Sequence, residues 1–150
     1  MSPVPVLIAL SCSLILIGCT GSKPLNLGVH DGKLLPCPAS PNCVSSLSLD
    51  RKHGIEPLQV IGSGRECLAA LAALISGMKR TRIVTQADSY VHAEFTSALF
   101  RFVDDVEFLL DERAGVIHVR SASRIGYSDL GANRRRVENI RAAMHALPSH

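Results

Sequence analysis

Hydrophobic residues of the chain follow a helical period in two places. Over 63–79 they recur at spacings of three and four, which predicts a helix with one apolar face. Ser63 and Glu66 have the spacing of a capping box, so we expect Ser63 to be the N-cap and Glu66 to reach back to its amide. A second helix is predicted over 131–147, because apolar residues again share one face and Pro148 ends the pattern.

Between these helices the hydrophobic period changes to two, which is typical of strands. Placing the apolar stripes of the last two strands on one face sets Leu110 opposite Ile117. The same register sets Glu107 opposite Arg120 and predicts a cross-strand ion pair. Two helices with an antiparallel sheet of about four strands predict a two-layer α+β fold. The strands are expected over 82–86, 90–96, 100–111 and 116–121.

The other stripe of the predicted sheet is polar. Imidazoles and carboxylates on one face can bind a metal ion or perform acid–base chemistry. An exposed sheet face has the same composition, however, and Arg120 would neutralise one carboxylate. We therefore expect a solvated face, with no metal ion and no cofactor. Its residues are His92, Glu94, Glu107, His118 and Arg120.

Asp104 lies in phase with the apolar stripe of its strand. A carboxylate facing a core is costly unless it is paired or hydrogen-bonded. We expect its partner to be Arg124 or a member of the run 134–136, which would join the sheet to the last helix. Two alternatives remain open: a bulge that turns Asp104 outward, and a general acid or base with a raised pKa.

The basic run 134–136 stands where the last helix begins. Amide groups at a helix N-terminus can bind an anion, such as a phosphate, a carboxylate or a lipid head group. The alternative, which we favour, is a polar network that fixes the loop beside a solvated helix face. The residues concerned are Ser128, Asn133, Arg134, Arg135 and Arg136.

The N-terminal segment resembles a bacterial lipoprotein signal. Its apolar run over 4–17 is shorter than the roughly 20 residues that span a bilayer. The letters LIGC at 16–19 resemble a lipobox, in which the cysteine becomes the acylated first residue. Thr20 in the next position suggests the periplasmic face of the outer membrane. We expect a signal peptide at 1–18, a tether at 19–33 and one domain at 34–150.

Export gives the remaining cysteines an oxidising environment, in which disulfides form. Cys37 and Cys43 flank a short loop with two prolines, so we expect them to be bridged. Bridges from Cys67 to either residue are the alternatives. The five intervening residues fit structural zinc poorly. Cys67 lies on the apolar helix face and is expected to be buried.

Composition narrows the function classes. The 150 residues include 47% hydrophobic and 4% aromatic residues, no Trp, and a net charge of +3. The hydrophobic content indicates a folded chain, and its length indicates a single domain. The scarcity of aromatic residues excludes a single-stranded nucleic-acid binder that stacks bases. No nucleic-acid partner is expected.

Three stretches together resemble a known family. They are CPASPNCVSS (37–46), FVDDVEF (102–108) and SRIGYSDLGANRRRVENIR (123–141). They are similar to the uncharacterised family called domain of unknown function 1499. The resemblance implies an envelope or lipid-anchored protein, and it assigns no catalytic residues.

These observations lead to one hypothesis and one alternative. We expect a module that is held at the membrane through acylated Cys19 and binds an envelope protein or an anionic ligand without catalysis. The alternative is an envelope enzyme that uses Asp104, Asp105 or Glu107 with His118.

Overall fold

The computed structural model describes residue 24 and residues 26–147, so the expected signal peptide at 1–18 and the lipidation site Cys19 lie outside the described residues. Eight strands and two helices follow one another in this part of the chain. No helix in it is long and apolar enough to cross a membrane. The strands are β1 (Val29–His30), β2 (Lys33–Leu34), β3 (Cys43–Ser45), β4 (Leu58–Gln59), β5 (Thr81–Gln86), β6 (Tyr90–Thr96), β7 (Val103–Asp111) and β8 (Val116–Ser123). The helices are α1 (Gly64–Ser76) and α2 (Ala132–His145).

The main sheet is antiparallel and has the order β3-β8-β7-β6-β5, with β4 also paired to β8. The α+β class with two helices is confirmed, but the predicted number of about four strands is wrong, because the sheet has six. The additional strands β3 and β4 have three and two residues. Such short strands cannot display an alternating pattern. The outer strand β5 has a register shift between Ile83 and Thr85.

The register of the central hairpin agrees with the prediction. Leu110 lies opposite Ile117, and Glu107 lies opposite Arg120. The turn between the strands ends at Gly115, whose φ of 66° favours glycine. Matching the two apolar stripes therefore identified the pairing, because a slip of one residue would have exposed both stripes.

Both helices pack on the apolar face of the sheet. Leu71 and Ile75 of α1 and Val137 and Ile140 of α2 are fully buried in this core. The N-terminus of α1 lies close against the sheet, since a Cβ at Gly64 would lie 2.9 Å from a Leu110 methyl group.

Ser63 is the N-cap of α1, as predicted, but its side chain makes no capping hydrogen bond. The expected capping box is therefore absent. The backbone carbonyl of Ser63 instead accepts the amide of Cys67 at 2.9 Å, which is an ordinary helical bond.

The polar face of the sheet is covered rather than solvated, which corrects the expectation. His92, Glu107 and Arg120 are at most 2% exposed. The covering element is the β1–β2 hairpin, which packs against β7 and β8 and buries Leu34. It falls partly inside the stretch expected to be a tether. An alternating pattern reveals that a face is polar, but it does not reveal what lies over it.

Strand β7 begins at Val103 rather than at position 100. Arg101 has a φ of 58°, which interrupts the extended backbone, and Phe100 before it is 65% exposed. The in-phase pattern therefore continued past the physical end of the strand.

Phe100 and Phe108 belong to the same alternating apolar pattern, and together they test whether β7 begins at Val103. Phe108→Ala should lower the free energy of unfolding by about 3–5 kcal/mol, because Phe108 is fully buried. Phe100→Ala is the matched control and should change it by no more than about 0.5 kcal/mol. Urea denaturation measures both values. A large loss in both variants would show that the strand includes Phe100.

Candidate functional site

The first charged cluster under the hairpin surrounds Glu107. Arg120 donates to one carboxylate oxygen of Glu107 at 3.0 Å. Tyr90 and the backbone amide of Gly28 donate to the other at 2.9 and 2.6 Å. Burial, then the charge of Glu107, raise the pKa of Tyr90, which keeps its hydroxyl a donor. This cluster ties the N-terminal segment to the middle of β7.

Arg120 is not fully hydrogen-bonded: it contacts Glu107 through one terminal guanidinium nitrogen, Nη1. Among buried side-chain polar atoms of the described residues, the Nε of Arg120 is the one without a hydrogen-bond partner. An unpaired buried donor carries a desolvation cost. The Glu107 cluster is therefore less completely satisfied than the one beside it.

The second cluster surrounds Asp105, two residues before Glu107 on the same face of β7. Arg124 donates to both carboxylate oxygens of Asp105 at 2.8 Å, and His92 lies 2.8 Å from one of them. Arg124 also contacts Glu94 at 2.5 Å, and Glu94 accepts a bond from Arg82 at 2.8 Å. The five side chains form one continuous network, in which Arg124 joins the two carboxylates, His92 contacts Asp105 and Arg82 contacts Glu94.

The pairing outweighs burial in this second cluster. Burial alone would raise the pKa of Asp105, but the hydrogen bonds and charges of Arg124 and His92 lower it below its usual value. The same balance lowers the pKa of Glu94, through Arg124 and Arg82. Bonds from Asp105 and Glu94 in turn raise the pKa of Arg124. Both carboxylates therefore stay ionised at neutral pH.

Asp104 lies on the opposite face, toward the helices. Its carboxylate pairs with Arg136 of α2, whose guanidinium also bonds the Ser121 hydroxyl at 3.0 Å. The same guanidinium lies 5.0 Å from the ring centroid of Phe95, within cation–π range. Asp104 thus links the sheet to α2. Arg124, the other expected partner, reaches Asp105 on the far face.

The start of α2 is held by its own loop. Asp129 accepts the amides of Gly131 and Asn133 at 3.0 and 2.7 Å, so a carboxylate of the chain occupies the place where an anion would bind. The side chain of Asn133 is fully buried and donates to the Asn42 carbonyl at 2.9 Å. It also accepts from the Ser121 hydroxyl at 2.6 Å.

The other residues of the expected anion site also face internal partners. Arg134 donates to the Lys52 carbonyl at 3.1 Å, and Arg135 donates to the Leu130 carbonyl at 2.7 Å. The Ser128 hydroxyl accepts the Leu130 amide at 3.3 Å. The structure therefore brings these residues together as a polar network. Asp129 was missed, although an aspartate just before a helix is a usual capping signal.

A cleft of about 630 Å³ opens at the far end of β7, where residues 111–116 turn back into β8. His118 lines it, and its Nδ1 lies 3.1 Å from the hydroxyl of Ser46. The Nε2 of His118 is 3.8 Å from Asp111, which is too long for a hydrogen bond. The hydroxyl of Ser46 also accepts the Val119 amide at 2.9 Å. Ser46 directly follows β3, so its hydroxyl joins the end of β3 to β8.

The four residues of the enzymatic alternative do not meet. Asp104 and Asp105 are neighbours in a strand and point to opposite faces. Asp105, Glu107 and His118 share a face, but each is held by different partners. Within residues 26–147 no group of three His, Cys, Asp or Glu side chains could hold a metal ion.

The disulfide between Cys37 and Cys43 is present, and Cys67 is a free, buried cysteine. The bridge closes the loop that leads into β3, directly beside the end of β8. It therefore fixes the segment whose Asn42 carbonyl receives the buried Asn133 amide.

The amino-acid sequence matches the model of a known protein family. Residues 33–144 match the family described as "Protein of unknown function (DUF1499)". The chain belongs to this family. The matched range includes the Asp105 cluster, the disulfide, the α2 network and, apart from Gly28, the Glu107 cluster, so these features lie inside the DUF1499 domain. No curated protein and no solved structure matches the chain.

Removing Arg124 should be costly because it would leave the buried Asp105 with His92 as its one remaining side-chain partner. We expect Arg124→Gln to lower the free energy of unfolding by about 3–5 kcal/mol at neutral pH. The matched control is Arg82→Gln, because Arg82 bonds the same Glu94 but its side chain is 68% exposed. The control should cost less than about 1 kcal/mol. Urea denaturation distinguishes the two, and equal losses would contradict a buried role for Arg124.

The same variant changes the response to acid. The lowered pKa values of Asp105 and Glu94 stabilise the fold above the ordinary carboxyl values of 3.8 and 4.5, and this contribution is lost as the pH falls through the folded values. In Arg124→Gln, burial of Asp105 is no longer opposed by Arg124. We therefore expect a shallower loss of stability below about pH 4 than in the unmodified protein. Denaturation curves along a pH series measure this slope, and parallel profiles would refute the explanation.

Proposed function

We propose that this protein is a lipid-anchored module of the bacterial cell envelope that binds a partner without catalysing a reaction. The observation that carries the proposal is that the candidate catalytic carboxylates are all paired within the protein. Each carboxylate considered for acid–base chemistry, Asp104, Asp105 and Glu107, lies within an ion pair with an arginine. The proposed location is the periplasmic face of the outer membrane.

The chemistry of these pairs supports a binding role over catalysis. A general acid requires a pKa near the working pH and contact with its substrate. Asp105 has a lowered pKa and is 1% exposed, and Glu107 is fully buried. Asp105 therefore stays ionised and has no proton to exchange with a ligand, and Glu107 lies out of a ligand's reach.

The anchor is supported by the sequence and by the way the domain begins. The apolar run 4–17 and the letters LIGC at 16–19 precede a polar stretch. Gly28, nine residues after Cys19, is already bonded to Glu107. Nine residues reach at most about 30 Å, so an acyl chain on Cys19 would hold the domain close to the membrane.

Metabolic labelling with an acyl-chain probe tests the anchor. Cys19→Ser should abolish labelling, because it removes the thiol that receives the lipid. Cys12→Ser is the matched control, since Cys12 lies in the same N-terminal segment but outside the lipobox. The control should stay labelled and sediment with membranes. Persistent labelling of Cys19→Ser would refute the anchor.

One observation favours a second candidate, an envelope hydrolase. The hydroxyl of Ser46 and the Nδ1 of His118 are 3.1 Å apart, which is the distance between a nucleophile and its base. A fluorophosphonate probe, which reacts with activated serines, distinguishes the candidates. On the binding proposal, the purified protein stays unlabelled. Labelling that disappears in Ser46→Ala and persists in Ser48→Ala would establish the hydrolase instead.

A further inference from the structure

Exposed large apolar side chains gather at one end of the sheet. Five of the nine in the described part of the chain lie on two loops, 97–102 and 124–131, which argues against random scatter. Their exposed fractions range from 41% for Phe102 to 85% for Leu130. We call them the apolar rim: Leu99, Phe100, Phe102, Tyr127 and Leu130.

The two loops are neighbours because they leave paired strands. The amide of Arg124 donates to the Val103 carbonyl at 3.2 Å, which continues the β7–β8 pairing to the start of both loops. The first loop is braced by Ser97, whose amide and hydroxyl both bond the backbone of Phe102. The rings of Phe100 and Phe102 stack at 5.4 Å. The loop therefore holds its apolar side chains outward in a fixed arrangement.

Four cationic side chains without an ion-pair partner among the described residues lie near the apolar rim. Arg80 adjoins the first loop, because its carbonyl accepts the Thr96 amide at 2.9 Å, and Arg101 lies within that loop. Lys79 and Arg135 line one cleft of about 330 Å³ between the helices. None of these four cations is in an ion pair within residues 26–147.

The acidic groups near the rim are already neutralised or engaged. Asp104 pairs with Arg136, Glu94 pairs with Arg124, and Asp129 caps α2. At the opposite end of β7, the exposed carboxylates of Asp88 and Glu112 line the other cleft, where both contact Arg65. The rim is thus both apolar and cationic, a combination that suits the surface of an anionic bilayer.

The position of the N-terminal segment agrees with this orientation. Gly28 contacts Glu107, four residues from the rim end of β7, a distance of about 13 Å along a strand. Gly32 in the β1–β2 turn lines the cleft at the opposite end. The turn of the hairpin therefore points away from the rim, and its N-terminal end is the nearer one.

We infer that the apolar rim and its four cations form a membrane-docking surface, which seats the domain on an anionic phospholipid leaflet. This inference rests on the proposed function, because the lipid on Cys19 would bring the surface within reach. A single acyl chain or a few apolar side chains bind membranes only weakly alone. Tethering makes the second contact intramolecular and strengthens both.

The chain contains no Trp, so one introduced Trp reports on one position. The test uses full-length protein reconstituted in vesicles of phosphatidylethanolamine and phosphatidylglycerol, with and without brominated acyl chains that quench Trp emission. Leu130→Trp places the reporter on the rim. Ile61→Trp is the matched control, because Ile61 is 57% exposed and adjoins the 111–116 turn at the opposite end.

We expect bromine to remove roughly half the emission of Leu130→Trp, since interfacial side chains reach about 5–10 Å into the head-group and acyl boundary. Ile61→Trp should be unaffected. Adding Arg80→Glu and Arg101→Glu to Leu130→Trp should reduce the quenching severalfold. Adding Arg113→Glu, an exposed change at the far end, should leave it intact.

The outcomes separate this inference from the proposal beneath it. Flotation of the protein with the vesicles reports the anchor, and quenching reports the docking. Flotation without quenching of Leu130→Trp would overturn the docking surface and leave the anchor standing. Failure of the protein to float would refute the anchor itself. A blue shift of Leu130→Trp without vesicles, rising with concentration, would identify a second copy of the chain as the occupant and overturn the lipid.

Discussion

The ion pairs between β7 and β8 hold together the side of the sheet that the helices leave uncovered. Glu107 and Asp105 are almost fully buried in the central strand, and removing a carboxylate from water costs several kcal/mol. Arg120 and Arg124 offset this cost only when they stand on the same face. A slip of one residue would move both arginines to the helix side and leave the carboxylates unpaired. The pairs therefore select one register and permit the hairpin to cover the face.

This arrangement links the fold to the proposed role. The arginines that stabilise the carboxylates also withdraw them from acid–base chemistry. The Glu107 cluster binds the Gly28 amide, so the N-terminal segment is attached to the middle of the sheet. A chain held at a membrane through its N-terminus would transmit the pull of its anchor directly to β7.

The sequence pattern predicted those features of the fold that depend on neighbouring strands. Matching apolar stripes identified the β7–β8 register and the Glu107–Arg120 pair, since both depend on two adjacent strands. The covering of the polar face could not be predicted, because it depends on a hairpin about seventy residues before β7. The network around Asp105 was missed because its central residue, Arg124, follows the end of β8, where strand alternation no longer predicts the face that a side chain takes. Phe100 continued the apolar pattern into a loop, since periodicity does not register the left-handed backbone at Arg101.

The edge strands of the sheet determine whether neighbouring copies of the protein can pair with one another. Anchored proteins diffuse in two dimensions, where copies meet far more often than in solution, and an open strand edge can pair with the same edge of a neighbour. Here the outer strand β5 is irregular between Ile83 and Thr85 and carries the exposed charge of Arg82. At the other side, β8 is shared by the short strands β3 and β4, and the disulfide loop leads into β3. Such edges oppose strand-to-strand polymerisation, so copies anchored in one membrane as proposed would remain separate molecules.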